Sequence, residues 1–186
     1  KILKLWAKHY GNNPKYELSC AITNKFLKPE DMNSLISEAL DGQFFDNINF
    51  IPFMKTNSEV NEFMNAIDID LTGLSGGEGW NLPAFNSSCL GKWSCVLNAT
   101  SHKDWANEDN SILVEPAGKE PAYDGLFFIE GAEVNQGNIN NFSEEDFKLA
   151  IDKSIPKAKQ VNTEGEKMKK TFSYENCVNN ILSQIF

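Results

Sequence analysis

A chain of 186 residues is long enough for one sizeable core and short for two, so a single domain over residues 1–186 is expected. The net charge of −9 and a sequence pI near 4.7 exclude a basic surface of the kind that neutralises nucleic-acid phosphates. No apolar run approaches the roughly 20 residues of a membrane-spanning helix, and the apolar stretch after Lys1 is broken by Lys4, Lys8 and His9, so it does not read as a signal peptide.

In chain order, Ile2–Tyr10 reads as the end of a helix with Ile2, Leu3, Leu5 and Trp6 on one side; a chain that opens inside such a pattern is expected to be a fragment. Residues 17–23 (ELSCAIT) form a strand candidate. Pro29–Leu40 is a helix with proline in its first turn and Gly42 just past its end. Ile48–Phe53 (INFIPF) is a second strand. Thr56–Ile67 is a helix with Asn57 or Ser58 as cap and Val60, Phe63, Met64 and Ile67 inward. Asp68–Leu74 reads as a strand entering Ser75-Gly76-Gly77-Glu78-Gly79, followed by a helix over Leu82–Leu90 and strands at Trp93–Leu97 and Ile112–Val114. The Gly-, Pro- and Asn-rich stretch from Glu115 to Asn141 is expected to carry function or a small hairpin, the latter around Leu126-Phe127-Phe128. Phe142–Ile155 is a helix with Ser143 and Asp146 as a capping box. The basic residues Lys167, Lys169 and Lys170, interrupted by Glu164 and Glu166, read as a solvated helix face, and Tyr174–Phe186 is amphipathic through Val178, Ile181, Leu182 and Ile185. Strand runs alternating with helices predict an α/β domain with a mainly parallel sheet.

Cys20, Cys89, Cys95 and Cys177 contain no CxxC pair, so neither a zinc site nor a redox motif is indicated. Three of them lie in apolar surroundings that suit small buried thiols, so reduced cysteines and a cytoplasmic location are expected. Asp68 and Asp70 could form a metal pair or simply end the packing of a strand. Trp80, Trp93 and Trp105 read as core or rim.

The chemistry concentrates at Gly76–Asn86, where a strand passes through glycines into a helix. Glycines permit positive φ and close approach of a ligand. The helix start offers unpaired N–H groups and a positive dipole end to an anion. Ligands of open α/β sheets sit beyond the C-terminal ends of the strands. Neither the phosphate-loop pattern nor the dinucleotide Gly-x-Gly-x-x-Gly is present.

The segment Glu78-Gly79-Trp80-Asn81-Leu82-Pro83-Ala84-Phe85-Asn86 resembles the Glu-Gly-Phe-Gly-Leu-Pro-x-x-Glu signature of two-domain GT-B glycosyltransferases of group 1 (family 4). Ala66-Ile67-Asp68 before it, Gly91-Lys92 with Ser94–Asn98 after it, Ile112-Leu113-Val114-Glu115-Pro116 and the helix from Phe142 resemble the neighbouring family segments in the same order. The resemblance implies the C-terminal, donor-binding half of that fold, a Rossmann-like three-layer α/β/α domain. It implies transfer of a sugar from a nucleoside diphosphate to a hydroxyl acceptor with retention, without cofactor or metal. Glu78 would meet sugar hydroxyls, and Gly77, Gly79, Trp80, Asn81 and Leu82 would line the donor with backbone amides. Asn86 stands where the family's second glutamate holds the ribose, an exchange of a charge-assisted bond for a neutral one. Thr23, Asn24, Pro52 and Phe53 would flank the base. His102 and Lys103 follow a strand end on the expected cleft side, where Lys103 could neutralise the leaving phosphate and His102 could touch acceptor or sugar, or the exposed loop pair could simply be solvated. The family's phosphate-binding Arg and Lys and its N-terminal acceptor domain would precede Lys1, so the chain alone is expected to turn over poorly. Two other readings stay open at this point, a sugar-nucleotide epimerase of the same architecture and a non-catalytic nucleotide-binding α/β module. The string Asp68-Ile69-Asp70 also leaves a metal-dependent transferase of the other major glycosyltransferase fold.

Overall fold

The computed structural model describes residues 1–124 and 127–185. The described residues divide into two compact units, Lys1–Phe63 and Met64 onward.

The first unit contains α1 (Ile2–Tyr10), β1 (Leu18–Cys20), α2 (Pro29–Ala39) and β2 (Ile48–Phe50), and α3 (Asn57–Ala66) runs out of it into the second unit. β1 and β2 pair in parallel, Leu18 beside Ile48 and Cys20 beside Phe50. Both strands stop short of the expected 17–23 and 48–53: the last ladder bond runs from the Ile51 amide to the Cys20 carbonyl (2.9 Å). The buried Asn47 side chain braces this unit, donating to the carbonyls of Tyr10, Asn13 and Tyr16 and accepting from the Asn12 amide. α3 is capped one residue earlier than expected. Thr56, rather than Asn57 or Ser58, accepts from the Glu59 amide, and the Glu59 carboxylate accepts from the Thr56 amide. Val60, Phe63, Met64 and Ile67 do mark the better covered side of that helix region.

The second unit is built on β3 (Ile69–Asp70), β4 (Trp93–Leu97) and β5 (Ile112–Val114), a three-stranded parallel sheet in that order. The expected strand over Asp68–Leu74 is cut to two residues. The Thr72 hydroxyl turns back to Asp70, and a 3₁₀ turn over Thr72–Leu74 buries Gly73, where a Cβ would lie 2.5 Å from the Cys95 carbonyl. β4 is buried at every position. Successive strand side chains point to opposite faces. Accordingly the Ser94 hydroxyl donates to the Ala84 carbonyl of α4 (Leu82–Cys89), while the Cys95 thiol faces the Ala150 carbonyl of α5 (Glu144–Ser154). The sheet is therefore the middle layer between α4 and α5, as the Rossmann-like reading expected. On the α4 side Ala84, Cys89, Val96, Trp105, Ala106 and Met168 form one core cluster.

α5 begins with the predicted box, Ser143 accepting from the Asp146 amide and Asp146 accepting from the Ser143 amide, both at 3.0 Å. It ends at Ser154 rather than Ile155, just before Pro156, which cannot donate a helical bond. α6 (Thr163–Thr171) carries the solvated Lys167, Lys169 and Lys170, yet its other side buries Gly165 and Met168. The stretch 115–141 holds an antiparallel pair, β6 (Gly118–Pro121) with β7 (Asn138–Asn141). Phe127 and Phe128 lie exposed in the loop between them and not in its strands; Leu126 lies outside the described residues. In α7 (Tyr174–Ile185) the expected inner residues Val178, Ile181, Leu182 and Ile185 are exposed, and Phe186 is not among the described residues. Seven helices and mainly parallel sheets among the described residues agree with the predicted α/β class. No described helix is long and apolar enough to cross a membrane. Cys20, Cys89 and Cys95 are buried free thiols and Cys177 is exposed.

Candidate functional site

The glycine-rich segment lies between β3 and α4, beyond the C-terminal end of the parallel strands, as expected. Its glycines do not serve as the sequence suggested. None of Gly76, Gly77 and Gly79 has positive φ; the left-handed residue is Asn81, at φ +59°. Gly76 is bare because β7 passes over it: an added Cβ would lie 1.7 Å from the Asn140 carbonyl, and the Asn140 amide donates to the Gly76 carbonyl at 3.0 Å. Gly77 abuts Ile139, and only Gly79 faces open space.

The helix start also differs from a bare N-terminus. Pro83 has no N–H, and the Asn81 side chain accepts from the Ala84 amide at 3.2 Å, so within the first turn only the Leu82 amide is left over. The loop before it supplies more. Among the described residues the amides of Gly77, Glu78, Gly79, Trp80, Asn81 and Leu82 meet no acceptor. Two of them are oriented by their neighbours. The Glu78 carbonyl accepts from Ser101 Oγ at 3.2 Å and the Trp80 carbonyl from Trp105 Nε1 at 3.0 Å. In a planar trans peptide the carbonyl and the following N–H point opposite ways, so the Gly79 and Asn81 amides are turned away from those partners. α4 has no acid in its first turn; among the other described helices only α1 shares that feature.

Ser101, His102 and Lys103 occupy a 3₁₀ turn, Thr100–Asp104, at the C-terminal end of β4. The turn starts on Thr100 at φ +53°, a strained conformation for a β-branched residue, and such strain concentrates at functional sites. The expected exposed pair divides. Lys103 is exposed. His102 is 1% exposed: its Nδ1 donates to the Leu97 carbonyl at 2.9 Å, which leaves Nε2 buried without a partner. Burial holds its pKa below the usual value, against the opposing pull of the Leu97 bond and the Glu78 charge, so the ring is neutral at pH 7. Beneath the loop, Asp70 is buried and accepts from the Thr72 hydroxyl; burial raises its pKa although the bonds from Thr72, Ser94 and Gly73 pull the other way. Asp68 is exposed, and no group of three or more metal-ligating side chains occurs among the described residues.

Trp80 packs edge-on against Phe85 and Phe172 with ring centroids 5.5 and 5.4 Å away, and Trp93 and Trp105 are buried, all as core or rim. Asn86 is exposed on α4, within one turn of Leu82. In the first unit Thr23 and Asn24 follow β1, Pro52 and Phe53 follow β2, and all four are exposed at the C-terminal edge of that pair. Lys25 lies over the Phe53 ring at 5.7 Å; neither this cation nor Ser101 was singled out from the sequence, where no local pattern marks them.

No family model matches the sequence, and no curated protein matches it. Solved structures do. The chain is similar to the C-terminal domain of a glycosyl transferase group 1 family protein, LpcC, from Francisella tularensis, with a TM-score of 0.56 and 19% identity over 91% of this chain and 76% of that one. It is similar to Alr3699/HepE of Anabaena, solved in complex with UDP, with a TM-score of 0.57 and 11% identity; there the match takes in 99% of this chain but 43% of the other. This chain thus spans less than half the length of HepE. The layered sheet, the glycine turn after β3 and these two likenesses together show that the chain has the Rossmann-like fold of the C-terminal domain of a GT-B glycosyltransferase.

Proposed function

We propose that the chain is the donor-binding domain of a glycosyltransferase, holding a nucleoside-diphosphate sugar for transfer to a hydroxyl acceptor with retention. The observation that carries this reading is the row of unpaired amides from Gly77 to Leu82 at the start of a helix that carries no acid in its first turn. Such amides and the helix dipole favour a diphosphate. Glu78 binds sugar hydroxyls, the amides of Gly77, Gly79, Trp80, Asn81 and Leu82 hold sugar and diphosphate, and Asn86 meets the ribose. Lys103, exposed on the turn tied to Glu78, neutralises the departing phosphate, and Thr23, Asn24, Pro52 and Phe53 take the base. His102, fixed to Leu97 through Nδ1 and with Nε2 buried, holds this turn in place. Catalysis is then mainly positioning and stabilisation of charge on the leaving diphosphate, with no cofactor or metal. The acceptor and an N-terminal domain that binds it complete the enzyme, which we place in the cytoplasm on the strength of its free thiols. HepE was solved with UDP, so uridine nucleotides are the first ligands to try.

Calorimetric titration with UDP and with UDP-, GDP- and ADP-sugars, beside Glu78→Ala, tests the reading. One nucleotide class should bind saturably, and Glu78→Ala should weaken the sugar nucleotide at least tenfold while leaving UDP itself within about twofold, since the sugar contact alone is lost (tenfold being about 1.4 kcal/mol). Absence of binding by every nucleotide at millimolar concentration, in this chain and in one extended at its N-terminus, refutes it.

A further inference from the structure

Asn81 combines three features. It is 4% exposed, it adopts left-handed backbone at φ +59°, and its side chain is bonded at both ends. Nδ2 donates to the Thr72 carbonyl at 2.8 Å, and Oδ1 accepts from the Ala84 amide at 3.2 Å. One side chain therefore ties the turn after β3 to the first turn of α4 across the whole glycine loop. Thr72 is held in turn, its hydroxyl 2.9 Å from each carboxylate oxygen of Asp70, which is 5% exposed. The signature this segment resembles has glycine at the same place. Glycine adopts a left-handed conformation freely but anchors nothing; asparagine tolerates it and supplies a donor and an acceptor.

We infer that Asn81 is a positioning residue for the donor: its side chain, backed by Thr72 and Asp70, locks the Glu78–Leu82 loop so that the Gly79 and Asn81 amides already face the ligand before it arrives. This inference rests on the donor-binding reading. Asn81 does not reach the ligand through its side chain, because both side-chain ends are occupied. Its effect is on the ordering entropy that an unanchored glycine loop would lose on binding. The Trp105–Trp80 and Ser101–Glu78 bonds fix the same loop from its other side, so the peptide planes are held from both directions.

Asn81→Gly separates the roles, since the left-handed backbone remains allowed while both side-chain bonds vanish and the Ala84 amide is released. The ligand-free readout is the backbone amide spectrum. In the native chain Gly79 gives one sharp ¹H–¹⁵N resonance and the Ala84 amide exchanges slowly; in Asn81→Gly the Gly79 resonance broadens and Ala84 protection is lost. The ligand readout is UDP titration, with at least a tenfold rise in Kd. A role confined to capping α4 would lower the melting temperature and Ala84 protection but leave Gly79 sharp and the Kd within twofold, and that result, or tighter binding, overturns the inference. If Asn81→Gly does not fold, Thr72→Val cuts the link to Asp70 while keeping the carbonyl that Asn81 uses; a two- to fivefold weaker Kd with Gly79 broadening supports the inference, and no change overturns it. Failure of this chain and of one extended at its N-terminus to bind any of the nucleotides sinks the donor-binding reading, whereas the Gly79 resonance still decides whether Asn81 orders the loop.

Discussion

The starts of α4 and α5 are built from the same backbone and finished in opposite ways. α5 is sealed by its own acids: Ser143 and Asp146 close a reciprocal box, and Glu144 and Glu145 add charge to the first turn. α4 has a neutral asparagine cap, a proline in the first turn and no acid, and the loop before it together with Leu82 keeps six amides without acceptors among the described residues. α3 and α6 follow the α5 pattern, with Glu59 and Glu164 in their first turns. A helix dipole draws negative charge wherever its end is open. The protein supplies that charge itself at α2, α3, α5, α6 and α7 and leaves the start of α4 without it.

The largest expected effect comes from converting α4 to the α5 pattern. Leu82→Glu places a carboxylate at the exposed first helical position and should weaken UDP at least tenfold by calorimetry. The same variant should melt no lower than the native chain, because an acid there interacts favourably with the dipole by about 0.3–1 kcal/mol. Equal loss of binding and stability would mean that the loop had collapsed and the comparison had failed. Next in size, Ser143→Ala opens α5 and should cost about 1 kcal/mol in denaturant unfolding, with UDP affinity unchanged. The smallest effect is the pH response of the box. The Ser143 hydroxyl, then the Ser143 amide, hold the Asp146 pKa below its ordinary value of 3.8. Its contribution is therefore fully present above pH 3.8 and is lost as pH falls through the lowered value. The stability gap between the native chain and Asp146→Asn should be widest near neutral pH and close in strong acid; a gap that persists in acid would assign the effect to packing.

Local rules made much of this legible. The α5 box spans three residues, so Ser143 and Asp146 could be read directly. The five apolar or small residues of β4 are buried on both faces, as a continuous run in a parallel sheet should be. The glycine turn stood out, and so did its place before a helix. Its internal logic did not. Gly76 is glycine because Asn140, 64 residues on, crosses it, and Asn81 is left-handed while its side chain reaches Thr72 nine residues back. His102 looked like a loop residue next to Lys103, yet its ring turns inward to the Leu97 carbonyl. α7 shows the reverse case, a clean apolar stripe that nothing among the described residues covers.

By itself the sequence determined the alternation of strands and helices, the capped start of α5, the absence of membrane-crossing apolar runs and the location of the glycine turn before α4. All of these depend on residue types within a few positions of one another. Only the tertiary structure decided which amides of that turn are left open, which way they point and which side chains hold them there. Those properties depend on hydrogen bonds to Thr72, Ser101, Trp105 and Asn140, partners that lie apart along the chain and meet only when the sheet has brought its C-terminal ends together.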